Sequence, residues 1–225
     1  MSFCEKYFNF IDHLDFPEKL QHGVEILNPF KVAQTNSLAQ SFYQKFYDDD
    51  QPRLFLIGIN PGRFGAGVTG VPFTDPIRLA EKCQIPNDLH RRQELSSVFI
   101  YDMIEAFGGV EIFYSRVFFT SVSPLGFVKN GLNLNYYDIP EVRDILEPFM
   151  VKSLRQQIAI GAITDIAFCM GQGENFKYFQ FLNSKYDLFK TIKSLPHPRW
   201  IMQYRLKRKD EFIMEYITKI SYAHG

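Results

Sequence analysis

The chain has little of several things. Only three of its 225 residues are cysteines (Cys4, Cys83, Cys169), scattered and odd in number. That argues against a disulfide framework and against a four-cysteine zinc or iron–sulfur site, and it predicts a reducing cytoplasm. No apolar run approaches the ~20 residues that a membrane span needs. The start, "MSFCEKYFNFIDHLDF", is broken by charge and lacks the basic, apolar, small-residue order of a signal peptide. Neither sign of charge is in excess, with 25 Lys plus Arg against 25 Asp plus Glu. Global charge therefore carries no argument for a nucleic-acid partner, although a local patch is still allowed. Repeats, low-complexity tracts and Gly/Ser linkers are absent, which predicts a single domain over residues 1–225.

What the chain has in plenty is aromatic residues, 16% of the total and mostly phenylalanine. An aromatic core is the plain reading. Four short apolar runs read as strands: Leu54–Ile59, Val117–Val122, Asp165–Met170 and Thr191–Leu195. Helical spacing marks Asn36–Tyr47, Ser96–Phe107 (closed by Gly108-Gly109), Val142–Ile160 and Asp210–Ile220. Strands separated by helices pair in parallel through crossovers, which predicts an α/β sandwich. Ligands of such sheets sit beyond the C-terminal strand ends. The loops there are "NPGRFGAG", "SPLGF", "GQGEN" and "PHPRW", and all four are expected to converge on one crevice.

The first of these loops belongs to "LFLIGINPGRFGAGVTGVPF", with glycines at 58, 62, 65, 67 and 70. It lacks the Lys-Ser/Thr of a Walker A loop and the G-x-G-x-x-G spacing of a dinucleotide fold. An anion-binding nest of backbone N–H groups remains. Asn60, where the strand stops, is either a turn-former or an amide whose oxygen holds a water for attack on a cationic carbon. His197 lies between Pro196 and Pro198, a setting read here as stiff and non-helical. It is either a hydrogen-bonded loop residue or a rigidly placed donor to a developing anion. Phe73 is a core anchor or a stacking platform for a flat ligand. Asp75 and Asp102 read as surface or capping residues, and His13, His22, His90 and His224 as surface or core. Arg199, Arg205, Lys207, Arg208 and Lys209, interleaved with Trp200 and Tyr204, form either a solvated face or a phosphate-binding patch.

These pieces together resemble a known family. "GINPGRFGAGVTGVPF" resembles motif 1 of the uracil-DNA glycosylase superfamily, and most of all the single-strand-selective monofunctional type, G-M-N-P-G-P-F-G-x-x-x-T-G-V-P-F. "NPFKVAQTNSLAQSFYQKF" resembles the segment before motif 1. "RRQELSSVFIYDMI" resembles the family's Q-S-E-V-S-G helix start, "TSVSPLGF" its H-N-L-C-P-L strand end, and "LPHPRW" its second motif, H-P-S-P-R-N. The likeness runs from about Asn28 to Arg205. Arg63 stands where the family has Pro, Ser121 where it has the Asn that reads the base edge, and the second motif is shortened. A divergent bacterial subfamily, not restricted to uracil, is implied.

The resemblance implies a three-layer αβα sandwich around a mainly parallel four-stranded sheet. It also implies a monomeric DNA glycosylase that excises a deaminated base in base excision repair, without metal or cofactor and without strand cleavage. DNA, single- or double-stranded, is the implied partner, with the damaged base flipped out. Asn60 and His197 carry the chemistry in that reading. Gly62, Arg63 and Phe64 offer backbone N–H groups to the base, Phe73 stacks on it and Ser121 meets its edge. Arg199, Trp200, Arg205 and Lys207 contact DNA. Two rival readings stay open: a catalytically weak nucleic-acid-binding module, and an enzyme acting on free nucleosides.

Overall fold

The computed structural model describes residues 1–223; His224 lies outside the described residues. The chain runs α1 (Phe3–Asp12), β1 (Glu25–Leu27), α2 (Ala33–Tyr47), β2 (Arg53–Gly58), α3 (Ala66–Thr69), α4 (Pro76–Glu81), α5 (Leu95–Phe107) and α6 (Val110–Tyr114). It continues with β3 (Val117–Ser121), β4 (Gly126–Lys129), β5 (Leu132–Leu134), α7 (Pro140–Gly161), β6 (Ala162–Met170), α8 (Glu174–Tyr186), β7 (Thr191–Leu195), α9 (Pro198–Tyr204) and α10 (Lys209–Tyr222).

The central sheet has the order β3-β2-β6-β7 with every pair parallel. The four expected strands are these four, and the α/β sandwich is as expected. Every residue of β2 is buried, because helices cover both faces of the sheet. The period of two in β3 sorts its aromatics between layers. Phe118 packs on Phe3, Tyr7, Tyr43 and Tyr47 of α1 and α2, while the next residue, Phe119, meets Phe113 and Phe73. The abundant phenylalanine is thus mostly core. On the β6 side, Phe99 of α5 meets Tyr216 of α10 edge to face.

A second sheet escapes the sequence reading. Strands β1, β4 and β5 form a small antiparallel sheet in the order β1-β4-β5. Its β4–β5 hairpin turns at Asn130-Gly131, both at positive φ (51° and 72°), the primed two-residue turn that matches strand twist. A further correction concerns the second motif. His197 is extended, as expected, but α9 begins immediately after it, with Pro198 in its first turn and His197 as N-cap. Proline is pre-shaped for that first position, so the "PHPRW" spacing starts a helix rather than forbidding one.

Candidate active site

The loop after β2 is compact because two glycines let other backbone segments touch it. A Cβ on Gly67 would overlap the Gly62 carbonyl, and one on Gly126 would overlap the Pro61 carbonyl. This pins Pro61–Gly62 between α3 and the start of β4. Farther along, the Thr69 hydroxyl donates to the Thr74 carbonyl at 2.8 Å, and the Thr74 hydroxyl bonds the buried Tyr101 hydroxyl at 2.9 Å. Between those anchors Phe73 is forced to φ 56°, a left-handed backbone that bulky residues avoid. Its ring lies 5.3 Å from that of Phe119 and 6.3 Å from that of His197. Gly58 clears the space beside it, since a Cβ there would sit 3.3 Å from the ring edge.

A crevice of about 350 Å³ opens over the C-terminal ends of β2 and β3. Asn60, Phe64, Phe73, Ser121, His197 and Arg199 all line it. That size lies within the range of small-ligand sites. Of the four loops expected to converge, "NPGRFGAG" and "PHPRW" do. "SPLGF" turns away into the hairpin, which returns through Asn133–Asn135 to form a wall of the crevice. "GQGEN" lines an adjoining recess on the far side of His197.

His197 is set by its place as N-cap. Its Nδ1 accepts the Arg199 N–H at 3.1 Å, so the proton of the neutral ring sits on Nε2. The carbonyl before it, on Pro196, is held by the buried Tyr216 hydroxyl. Burial, and then the Arg199 charge, push the His197 pKa down to about 4. At neutral pH the ring is therefore an uncharged donor.

Asn60 is a latch as well as a candidate for chemistry. Its Nδ2 donates to the Leu134 carbonyl at 3.1 Å, and its Oδ1 accepts the Tyr136 N–H at 3.0 Å. This fixes the amide's orientation and leaves Oδ1 one further lone pair. Ser121 differs from the freely rotating hydroxyl that the sequence suggests. It donates to the Ser123 carbonyl at 2.6 Å, so what it offers the crevice is acceptor lone pairs. Arg63 differs too. Its N–H goes to Asn133 Oδ1 at 3.0 Å, and its guanidinium lies on the Phe64 ring at 5.1 Å. The Gly62 and Phe64 N–H groups have no partner among the described residues.

The basic cluster divides. Arg208 pairs with Glu211 at 2.8 Å, and Lys209 with Asp102 at 2.9 Å. Arg205 stacks on Trp200 at 5.0 Å, and Trp200 also meets Phe212 edge to face. Arg199, Arg205 and Lys207 are exposed without a carboxylate partner among the described residues. Asp75 caps α4 as expected but is fully buried rather than at the surface, and it also accepts the Glu94 N–H at 3.0 Å.

Sequence reasoning missed Glu94 and Asn133. Glu94 lines the crevice, and burial raises its pKa against the opposing pull of Arg92 and Arg199. Asn133 reaches the crevice only through the hairpin, which the Asn130-Gly131 turn signal between "FVK" and "LNL" would have shown.

Comparison with known proteins places the family and the fold. The family model described as the uracil DNA glycosylase superfamily matches residues 44–221. No curated protein matches. The crystal structure of wild-type SMUG2 from Pedobacter heparinus superposes with a TM-score of 0.96 at 42% identity, covering 100% of this chain and 99% of that one. With the family model spanning most of its length, the chain belongs to the uracil DNA glycosylase superfamily.

Proposed function

We propose that the protein is a monofunctional DNA glycosylase. It hydrolyses the N-glycosidic bond of uracil and related deaminated bases as the first step of base excision repair. The observation that carries this reading is the uncharged His197 Nε2–H, set across one crevice from Asn60 and beside Phe73. The target nucleotide is flipped out of the DNA and its base stacks on Phe73. The unpartnered Phe64 and Gly62 N–H groups meet base carbonyls. As the C1′–N bond breaks, the sugar becomes oxocarbenium-like and the base leaves with its bonding electrons as an anion. His197 donates to that anion's oxygen, a stabilisation absent from the ground state. The water accepted by the free lone pair of Asn60 bonds to C1′ and loses its proton to solvent. Among the described residues no lysine lines the crevice to form a covalent intermediate, which supports a reaction that stops at the abasic site.

Ser121 supports a base range wider than uracil. Its oxygen accepts a hydrogen bond, and uracil, hypoxanthine and xanthine all present an imino N–H. Cytosine and adenine present a lone pair at the equivalent edge and are repelled. A serine thus selects deaminated bases as a class, whereas an Asn would add a donor for the neighbouring carbonyl. The test is a panel of oligonucleotides carrying each lesion, in both strand forms, scored for abasic-site formation by the wild type and by Ser121→Asn. The wild type is expected to cleave more than one deaminated base. Serine is also shorter than Asn and leaves room beside the base for a larger, purine ring. Ser121→Asn fills that room and is therefore expected to move the single-turnover ratio of uracil to xanthine up by roughly tenfold, the worth of one good hydrogen bond that the displaced purine fails to make. Equal changes on both bases would remove Ser121 from base reading, and a wild type inactive on every lesion would leave the weak binding module.

Phosphate contacts separate this reading from an enzyme of free nucleosides. Arg199→Ala and Arg205→Ala are each expected to weaken binding to all sequences alike and to flatten the salt dependence by about one unit. Measuring Kd across a salt series checks it, and an unchanged slope in both variants places the DNA elsewhere.

A further inference from the structure

The chain's shortened second motif leaves open how the gap made by a flipped base is filled. Trp200 at that position is exposed at its surface but held in place, packed on Phe212 and carrying the Arg205 guanidinium. His197 and Arg199 line the crevice. The other wall of the crevice offers a different element.

The β4–β5 hairpin projects beside the crevice mouth. Leu132, the residue after its Asn130-Gly131 turn, is 68% exposed. A single exposed leucine is ordinary; the setting of this one is not. It is next to Asn133, which binds the Arg63 N–H at the crevice rim. Two residues on, the chain is tied by the Leu134 carbonyl to Asn60. Leu132 is paired across the hairpin with Lys129, and Arg63 Nη1 comes to 3.8 Å from where a Gly131 Cβ would lie. Arg92 stacks at 3.6 Å on the Phe64 ring that Arg63 also covers. Among the described residues, no carboxylate lies within ion-pair distance of Arg63, Arg92 or Lys129. The rim therefore bears an apolar tip on a two-residue hairpin with Lys129 and Arg63 beside it and Arg92 on the neighbouring Phe64 ring, none of the three in an ion pair among the described residues.

That is the chemistry of a duplex wedge. An aliphatic side chain inserted between base pairs partly unstacks them, and cations beside it meet the phosphates of the opened strand. The tight turn fixes the tip in advance, so little freedom is lost on insertion. We infer that Leu132, on the β4–β5 hairpin, is the wedge that enters double-stranded DNA beside the flipped nucleotide, with Arg63, Lys129 and Arg92 on the flanking phosphates. The inference rests on the glycosylase reading but is tested apart from it.

The test compares wild type, Leu132→Ala, Leu132→Met and Trp200→Ala in two assays. In single-turnover excision of uracil from duplex and single-stranded oligonucleotides, Leu132→Ala lowers the duplex-to-single-strand rate ratio by about tenfold or more, the worth of one unstacked step. Leu132→Met, which keeps an aliphatic tip, retains most of that ratio. In the second assay, 2-aminopurine sits beside an uncleavable 2′-fluoro-deoxyuridine in a duplex. Its fluorescence rises on adding wild type and not on adding Leu132→Ala. A ratio unchanged in Leu132→Ala overturns the inference, as does a ratio that falls in Trp200→Ala and not in Leu132→Ala. Excision absent in the wild type on both strand forms, for uracil and for every other deaminated base of the panel, refutes the glycosylase reading instead. The fluorescence assay needs no cleavage and still decides the wedge, because no rise with wild type overturns it.

Discussion

His197→Ala is expected to slow single-turnover excision by roughly 100-fold or more, the cost of losing one donor aimed at developing charge. Substrate affinity should change little, because the donor meets full negative charge only as the bond breaks. The pH profile adds a sharper check. With its pKa near 4, His197 is neutral across the physiological range. The histidine-dependent limb of the rate should lie near pH 4 and leave the rate flat between about pH 5.5 and 8, where an unperturbed histidine would titrate. Below that limb, protonation of Nδ1 breaks the bond from the Arg199 N–H and disturbs the N-cap of α9. A limb near pH 6.5 that vanishes in His197→Ala would mean that the ring works as a charged acid. A variant with the wild-type rate would return His197 to a structural loop role.

Asn60→Ala is expected to lose about 100-fold or more, because a small misplacement of reacting groups costs that much. Two losses combine: the lone pair that places the water, and the tether to Leu134 and Tyr136. Asn60→Asp separates them. A carboxylate accepts the Tyr136 N–H and places the water, and its charge favours the cationic sugar. It gives nothing to the Leu134 carbonyl when ionised. Asn60→Asp should therefore recover part of the rate that Asn60→Ala loses. Single-turnover excision by the three proteins decides this; equal rates for Asn60→Ala and wild type would make Asn60 a turn residue.

The parallel sheet was legible because β2, β3 and the second half of β6 are apolar runs that stop close to Gly or Pro, as "LFLIGI" stops at Asn60-Pro61, and Pro196 marks the end of the more polar β7. The end of α5 was legible from Gly108, which sits at φ 124° as its C-cap. The small antiparallel sheet was not. Its strands are only three, four and three residues long, too short for alternation to register. Helix α1 was missed although Ser2 and Glu5 form a capping box at its start. Helix α8 was missed because it buries only Asn175, Phe179 and Leu182 and has no side-chain N-cap. In the crevice, the motif residues Asn60, Phe73, Ser121 and His197 were legible as types at recognisable spacing. Their hydrogen bonding was not. The partners of Asn60 lie 74 and 76 residues away, and the commitment of the Ser121 proton depends on the path of the chain two residues on.

The tether at Asn60 also bears on how such a chain can drift. On the hairpin side it uses only main-chain groups, the Leu134 carbonyl and the Tyr136 N–H. Side chains at those two positions can be exchanged without touching it, provided the strand keeps its path. On the other side it uses one amide and no other group. Side-chain variation at positions 134 and 136 therefore leaves the tether intact, and variation at position 60 does not. The surroundings of the crevice can change at those two positions while the reacting centre stays constant.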